Sequence, residues 1–280
     1  MTPPAPLAAA DAAARALDAL RGSEPAVGVV VVAGEQVGSR MVVWAGHHAG
    51  TLGKADWDRC ALELAREVLA GAKPGVREVE RADASFTLYL EMYRPPPELI
   101  IVGAGHIARP LCRVGAMLGF RVTVLDDRPD FALPERFPEA TDVLRADLFA
   151  APFRDVELGA DTHLVLVTRG HKYDYQALLD ALRAPVPPSY IGMVGSQRRT
   201  RAALEQLVRD GVPHERLAGI HAPVGLDIGA ETPEEIAVSV GAELIKLRRG
   251  GTGTSLRDRA RVVERWIVRR SDVPTDESPK

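Results

Sequence analysis

Helix-like and strand-like patterns of apolar positions alternate over residues 1–94. Residues 7–21 and Trp57–Leu69 are apolar at helical spacing. Shorter apolar or alternating runs predict four strands: Ala26–Ala33, Met41–Trp44, Val76–Val79 and Ser85–Tyr93. Prolines at 95–97 then interrupt regular structure, because proline resists helix and stiffens a linker. The pattern predicts a small α/β domain over residues 1–94, followed by a proline linker over residues 95–97.

From Glu98 onward, short apolar strands alternate with amphipathic helices. The predicted strands are Leu99–Val102, Arg121–Leu125, Asp142–Leu144, His163–Val167 and Tyr190–Met193. The predicted helices are Ile107–Met117, Tyr175–Arg183, Arg198–Asp210 and Pro233–Leu247. Such alternation is typical of a mostly parallel sheet with helices on both faces. We therefore expect a second, larger α/β domain over residues 98–250.

The ends of this second domain carry local signals. Thr232 and Glu235 have the spacing of a capping box, with Pro233 at the first helical position. Beyond residue 250, the segment 251–280 contains one more apolar helical pattern, Leu256–Ile267. From Ser271 the sequence turns polar, which predicts a disordered tail.

A glycine-rich turn follows the first strand of the second domain. The run from Gly103 to Ala108 is Gly-x-Gly-x-x-Ala between a strand and a helix. In this pattern the first glycine allows a tight turn, and the second lets a pyrophosphate approach the backbone at the helix N-terminus. Asp126 ends the next strand 21 residues beyond Gly105, about where an acid that binds ribose lies. The sequence thus predicts a Rossmann-like unit that binds a phosphate-bearing ligand.

Composition narrows the class of protein. The net charge of −3 and the sequence pI near 6.2 indicate no dominant basic patch, so we expect no nucleic-acid partner. No apolar run has the length of a membrane span, and the N-terminal stretch lacks the pattern of a signal peptide. Cys60 and Cys112 lie in predicted helices without metal-ligand spacing. We expect a cytoplasmic protein with no membrane partner and no metal site.

Loops that follow the parallel strands carry the candidate chemistry, because ligands of open α/β sheets bind beyond the carboxyl ends of the strands. The polar and glycine positions in these loops are Asp126, Asp127, Arg128, Thr168, Arg169, His171, Asp174, Gly195, Ser196 and Asp227. Arg198 and Arg199 begin a helix, where basic side chains oppose the helix dipole. An anionic ligand would offset them.

Each of these residues also has a purely structural interpretation. His171 and Asp174 can form a local hydrogen-bonded pair at a helix start, and Asp227 can hold its own glycine-rich loop together. His47 and His48 are adjacent but have no matching ligand spacing, so we interpret them as loop residues. The residues alone leave these alternatives open.

Taken together, these stretches resemble the XdhC/CoxI family. The glycine turn with its strand and the run Val124–Arg128 look like the Rossmann domain of that family. Further matching stretches are residues 168–171 with Asp174, residues 190–196 and residues 221–237. The resemblance extends from Leu99 to Leu247, and weaker matches at residues 38–43 and 50–53 resemble the N-terminal domain of the family.

The resemblance implies a maturation chaperone, which is an accessory protein rather than a dehydrogenase. Members of the family serve molybdenum hydroxylases such as xanthine dehydrogenase, and are thought to bind molybdenum cofactor, protect it and pass it to the apo-enzyme. The cofactor is molybdopterin or a dinucleotide form, and a cysteine desulfurase is a further partner that the resemblance suggests. A homodimer is left open. The residues expected to bind the cofactor are Gly103, Ala104, Gly105, His106, Ile107, Asp126, Asp127, Arg128, Thr168, Arg169, His171, Gly195, Ser196 and Asp227.

The N-terminal domain departs from the family at residues 54–58. The family continues there with further glycines and often a cysteine, whereas this chain has Lys-Ala-Asp-Trp-Asp. We therefore give Cys60 no role as a molybdenum ligand.

Two other functions fit the residues. One is an NAD(P)-dependent oxidoreductase in which His171 and Asp174 form a proton-transfer pair and are the candidate catalytic residues. In it Asp126 and Asp127 favour NAD, whereas Arg128 can accommodate a 2′-phosphate. The other is a regulatory module that senses a nucleotide and docks on a partner without transferring cofactor.

Overall fold

The strands form two separate sheets in the computed structural model, which describes residues 6–22, 24–81 and 84–260. The chain divides into two compact units, Met1–Pro96 and Pro97–Lys280. The first unit holds a five-stranded antiparallel sheet, and the second holds a six-stranded sheet whose strands are all parallel. The predicted α/β class with a Rossmann-like sheet is confirmed.

Helices cover both faces of the sheet in the first unit. Its elements are α1 (Ala9–Arg21), β1 (Ala26–Ala33), β2 (Arg40–Val43), β3 (His48–Thr51), α2 (Ala55–Leu69), β4 (Gly75–Arg81) and β5 (Ala84–Tyr93), and the sheet order is β3-β2-β1-β5-β4. Successive residues of a strand face opposite sides. Accordingly, Val27 and Val29 pack with α2, whereas Ala26 packs with α1.

The prediction of a loop at His47 and His48 was only half right. His47 lies in the turn after β2 and stacks on Trp44, with 4.5 Å between ring centroids, but His48 begins β3. The sequence His-Ala-Gly-Thr has no apolar alternation to mark a strand. Its strand conformation comes from antiparallel pairing with β2.

The second unit has the strand order of a Rossmann fold. Its strands are β6 (Glu98–Val102), β7 (Arg121–Asp126), β8 (Asp142–Arg145), β9 (Thr162–Leu166), β10 (Tyr190–Met193) and β11 (Ile220–His221), in the order β11-β10-β9-β6-β7-β8. Its helices are α3 (Ala108–Met117), α4 (His171–Arg183), α5 (Gln197–Arg209), α6 (His214–Leu217), α7 (Pro233–Arg249) and α8 (Leu256–Ala260). Counted from β6, the order is the 3-2-1-4-5-6 arrangement of dinucleotide-binding folds.

Two apolar cores lie on opposite faces of this sheet. Ile100, Val102 and Leu164 pack with α4 and α5 on one face. Leu99 and Ile101 pack with α3 and α7 on the other. Because the helices that follow β6 and β9 lie on opposite faces, the chain leaves these neighbouring strands in opposite directions.

Several boundaries differ from the sequence predictions. Helix α4 begins at His171 rather than Tyr175, because Gly170 already takes the extended N-cap conformation. Strand β11 and helix α6 were not predicted, since each is too short to show a period. Helix Pro233–Arg249 does begin with the predicted capping box.

The C-terminal predictions are tested in part. The predicted helix that starts at Leu256 is present as far as Ala260, and residues 261–280, including the predicted polar tail, lie outside the described residues. None of the helices in the described part of the chain combines the length and apolar character needed to cross a membrane.

Candidate functional site

The carboxyl edge of the parallel sheet brings most of the predicted site residues together. Strands β6 and β9 are neighbours whose following helices lie on opposite faces. This arrangement opens a crevice at the carboxyl edge, which is where open α/β sheets bind ligands. Residues 103–107 after β6 and residues 167–170 after β9 border the crevice.

The two glycines of the turn serve different structural purposes. Gly103 has a φ of +104°, and a Cβ there would lie 2.8 Å from the carbonyl oxygen of Val167 and 3.0 Å from Cα of Thr168. A Cβ on Gly105 would meet no described atom within 4 Å. Gly103 thus allows the turn to pack against the loop after β9, whereas Gly105 leaves open space beside the backbone.

The start of α3 lies next to this open space. Ile107 occupies the N-cap position without a side-chain hydrogen bond to the helix, and the first turn contains no acidic residue. The first N–H groups of a helix have no partner within it, and together with the helix dipole they favour an anion. Ala104 is buried and His106 is exposed. The turn and helix therefore form a site suited to a phosphate.

Asp126 is buried beneath the glycine turn. Its Oδ2 accepts hydrogen bonds from the Ala104 N–H (2.6 Å) and Arg128 Nη2 (2.8 Å), and its Oδ1 accepts from Arg128 Nε (2.8 Å) and the Arg128 N–H (3.0 Å). Burial alone would raise the pKa of Asp126, but these bonds and the Arg128 charge outweigh it and lower the pKa to about 2. Both oxygens are engaged within the protein. Contact between Asp126 and a ligand stays a prediction, and it would require these bonds to break.

Asp127 forms a different ion pair. Its two oxygens accept from Nη1 (2.6 Å) and Nη2 (2.8 Å) of Arg169, in the loop after β9. Arg169 also donates to the Tyr173 hydroxyl (2.5 Å), and its guanidinium lies 4.2 Å from the centre of that ring. The Asp127 carboxylate raises the pKa of Arg169. The side chains of Arg169 and Asp127 are 38% and 27% exposed, so solvent reaches this pair.

Asp174 and Thr168 meet an arginine rather than a histidine. Asp174 is fully buried and accepts from the Thr168 hydroxyl (2.7 Å) and from Arg199 Nε (2.5 Å). Arg199 also donates to the carbonyl oxygen of Thr168 at 2.8 Å. His171 is exposed in the first turn of α4, and no hydrogen bond joins it to Asp174 in the described structure. The predicted His171–Asp174 pair is therefore not formed.

The contacts of Arg199 change the interpretation of the basic residues at the start of α5. We expected an anionic ligand to offset Arg198 and Arg199, but the carboxylate of Asp174 offsets Arg199 internally. Arg198 is exposed and has no hydrogen-bond partner among the described residues. Ser196 is the N-cap of α5, where its hydroxyl accepts from the Arg199 N–H at 3.3 Å. Gly195 precedes it at the carboxyl end of β10.

The glycine-rich loop of residues 221–230 is held from α7. The Gly225 N–H donates to Glu243 at 2.9 Å, and the Ser239 hydroxyl donates to the carbonyl oxygen of Leu226 at 2.6 Å. Asp227 is exposed, and within the described residues it makes no side-chain hydrogen bond. The structural alternative for Asp227, that it holds this loop together, is therefore wrong.

Glu243 is the centre of a buried hydrogen-bond cluster that sequence reasoning missed. It accepts from the Tyr190 hydroxyl (2.7 Å), the Gly225 N–H (2.9 Å) and His221 Nδ1 (3.1 Å). Burial acts to raise the pKa of Glu243, but the bonds from these donors prevail and lower it. The only sequence signal is an acid within an apolar stretch of α7. This cluster ties α7 to β10, to the end of β11 and to the loop that follows β11.

Metal-binding chemistry has no donor set in the described part of the chain. No group of three or more His, Cys, Asp or Glu side chains is placed to hold a metal ion there. Cys60 and Cys112 are both buried and free, and burial raises the pKa of Cys112 to about 11.

A family model described as the XdhC Rossmann domain matches residues 99–244, which is more than half of the chain. The chain belongs to this family. The match covers the parallel sheet, the glycine turn and every loop of the crevice described above, so the XdhC family shares the part of the molecule that carries the candidate site.

Two curated relatives are similar to this XdhC-family chain. It is 32% identical over 219 residues to an uncharacterized protein, YqeB, of Escherichia coli K12, with 74% of this chain and 40% of that protein covered. It is 34% identical over 167 residues to a probable xanthine dehydrogenase subunit of Bacillus subtilis 168, with 60% and 48% covered. The chain thus spans less than half the length of either relative.

A solved structure shares the fold. A crystal structure described as a xanthine dehydrogenase from Bacillus halodurans matches with a TM-score of 0.52, covering 87% of this chain and 98% of that chain. The two sequences are 20% identical, so this similarity concerns the fold alone.

Proposed function

We propose that the protein is an accessory factor of molybdenum hydroxylases that binds the phosphate end of molybdenum cofactor in the crevice and delivers it to an apo-enzyme of the xanthine dehydrogenase type. The observation that carries the proposal is the open space beside Gly105 at the uncapped start of α3. Membership of the XdhC family and the name of the B. subtilis relative support the choice of hydroxylase.

The crevice has the chemistry that the phosphate end of this cargo needs. Molybdenum cofactor is a pyranopterin that carries a phosphate, or a pyrophosphate in its dinucleotide forms. The N–H groups at the start of α3 can bind such an anion beside Gly105. Arg169 and His171 add donors at the rim on the side of β9. Delivery requires that the protein bind free cofactor tightly and release it when the apo-enzyme docks, which is a difference in affinity between two states.

The contacts of two acids favour this role over hydride transfer. The carboxylate that would bind the ribose of NAD, Asp126, is 1% exposed and has both oxygens bonded within the protein. The acid of the supposed proton-transfer pair, Asp174, is bonded to Thr168 and Arg199. We further propose that this carrier is cytoplasmic and acts as a monomer or as a homodimer. Its further partner is a cysteine desulfurase.

Ligand identification tests the proposal directly. The protein is purified without oxygen from a host that makes molybdenum cofactor, and molybdenum is measured together with the fluorescent oxidised pterin. We expect both in near-stoichiometric amounts. Nicotinamide in place of pterin would support the oxidoreductase instead, and a protein without ligand that still docks on a molybdenum hydroxylase would support the regulatory module.

Gly105→Val should abolish cofactor retention without unfolding the protein. The new side chain occupies the open space beside the backbone, where it meets no described atom within 4 Å, so stability should change little. We expect molybdenum and pterin to fall at least about tenfold, since a lost charge-assisted contact costs about 1.5–3 kcal/mol.

Gly159→Val is the matched control. Gly159 also has open space around its would-be Cβ, but it precedes β9 at the amino edge of the sheet. This variant should retain the cofactor. Unchanged retention in Gly105→Val, with a normal circular dichroism spectrum, would contradict the proposed binding site.

A further inference from the structure

The Arg169–Asp127 ion pair crosses the crevice above the glycine turn. Asp127 directly follows β7, and Arg169 follows β9. These strands flank β6 on its two sides, so their carboxyl ends are about 10 Å apart at the usual strand spacing. Two hydrogen bonds of 2.6 and 2.8 Å close that gap. A ligand that lies across the end of β6 therefore meets this pair.

The Arg169–Asp127 ion pair can be broken at a small cost in free energy. It is exposed to solvent, and exposed ion pairs stabilise proteins by about 0.2–1 kcal/mol. Among the described residues, Asp127 has no side-chain hydrogen bond other than those with Arg169. Arg169, in contrast, is also held by the hydroxyl and ring of Tyr173 in α4. Losing Asp127 would therefore leave the guanidinium in place at the rim.

The neighbouring pair differs in its acid rather than in its arginine. Arg128 is likewise held by a ring, with its guanidinium 3.4 Å from the centre of Phe131, but Asp126 is buried and also accepts from the Ala104 N–H, so the glycine turn depends on Asp126. A phosphate offers the same bidentate acceptor geometry as a carboxylate and carries more charge. Of the two arginines, Arg169 is therefore the one that can exchange its carboxylate for a phosphate.

We propose that Arg169 binds the phosphate of the ligand and that Asp127 occupies its guanidinium in the free protein, so that the ligand binds by replacing Asp127. This inference rests on the proposed function in one respect, namely that the crevice takes a phosphate-bearing ligand. Asp127 then acts as an internal competitor. Asp127 lowers the affinity of the crevice for the phosphate group of the ligand, and its carboxylate pairs with Arg169 again when the ligand leaves.

Inorganic pyrophosphate, titrated calorimetrically at fixed ionic strength, is the probe. Asp127→Asn removes the competing charge and should tighten binding about fivefold, the upper value for an exposed ion pair. Arg169→Gln should weaken binding about tenfold or more, because a charge-assisted bond to the phosphate is lost. The double variant should bind as weakly as Arg169→Gln, since the gain from removing Asp127 requires the freed guanidinium.

Glu139→Gln is the matched control for charge. Glu139 pairs with Arg113 at 2.9 Å, another exposed arginine–carboxylate pair of the same unit, and lies outside the crevice loops. It should leave the affinity unchanged. All variants are checked for a wild-type circular dichroism spectrum.

The possible failures are distinguishable. If the wild type binds pyrophosphate and Asp127→Asn does not tighten it, the exchange is overturned and the proposed crevice stands. A gain that persists in the double variant also overturns the exchange, because it would reflect net charge alone. If neither the wild type nor any variant binds pyrophosphate, the result overturns the exchange and also counts against the crevice as a phosphate site.

Discussion

Two adjacent aspartates show how far neighbouring residues can differ in this site. Asp126 ends β7, is buried and accepts four hydrogen bonds from Ala104 and Arg128. Asp127 is the next residue, remains partly exposed and pairs with Arg169 across the crevice. Asp126 is the last residue of β7, whereas Asp127 is the first residue of the loop that follows the strand. The first therefore stabilises the glycine turn, and the second is available to respond to a ligand.

Asp126→Asn should lower stability in a manner that depends on pH. A pKa of about 2, against the ordinary 3.8, means that the carboxylate contributes about 2 kcal/mol to the free energy of unfolding above about pH 5. Because the folded-state pKa is the lower one, this contribution is lost as the pH falls through the range from about 4 to 2. Urea unfolding followed by far-ultraviolet circular dichroism should show a wild-type advantage that is largest at neutral pH and shrinks toward pH 3.

Asp127→Asn is the control for that experiment, since its exposed pair should contribute less than about 1 kcal/mol. An equal loss in the two variants, or a loss from Asp126→Asn that does not change with pH, would contradict the role assigned to the buried carboxylate.

The sequence located the residues at the carboxyl edge of the sheet better than it located their hydrogen-bond partners. Spacing alone identified Asp126 and the loop from Thr168 to Asp174, because a parallel sheet gathers the ends of its strands at one edge. It could not reveal that Arg199, 25 residues beyond Asp174, neutralises that acid. Nor could it identify Glu243, whose partners come from β10 and the loop after β11. Such contacts depend on side-chain directions that only the folded chain determines.

At the scale of elements, Asp174 joins three segments that follow two neighbouring strands, β9 and β10. It lies in α4, receives the Thr168 hydroxyl from the loop after β9, and receives Arg199 from α5 after β10. One buried carboxylate thereby fixes the starts of two helices relative to each other. The positions of the loops that follow β9 and β10 depend on this contact.

Arg199→Gln should therefore destabilise the second unit strongly. It leaves the Asp174 carboxylate, which is 0% exposed, without a counter-charge, and such a loss costs about 3–5 kcal/mol. Arg198→Gln, the exposed neighbour in the same helix turn, should change stability by less than about 0.5 kcal/mol. Thermal unfolding followed by calorimetry compares the two. A mild effect of Arg199→Gln, equal to that of Arg198→Gln, would mean that water already compensates Asp174.

The elements that the sequence predicted share a feature that the missed ones lack. Each long strand and helix has an apolar face that repeats over several residues, which is why β1, β6, β9 and α7 could be recognised. The two-residue strand β11 and the polar strand β3 have no such repeat, and they exist because a neighbouring strand offers hydrogen bonds. Short edge strands are properties of the sheet rather than of their own sequence.

At the scale of the whole molecule, the two units have separate cores. The clusters around β1 draw on residues of the first unit, and the two clusters around β6 draw on residues of the second. A unit that buries its own apolar residues can fold alone. The glycine turn, Asp127 and Arg169 all belong to the second unit, so ligand binding and folding should be separable from residues 1–96.

Residues 97–280, expressed alone, should fold cooperatively and bind inorganic pyrophosphate within about threefold of the affinity of the whole chain, a difference of less than about 1 kcal/mol. Residues 1–96 should fold and bind none, because the segment after Gly53 is used for local structure. There Asp58 accepts from the Thr51 hydroxyl and the Leu52 N–H, both at 2.6 Å, and Trp57 is buried against Phe86. Calorimetric titration of the two fragments tests this division. A second fragment that folds but loses the affinity of the whole chain would show that the first unit contributes to the site, in spite of its missing glycines.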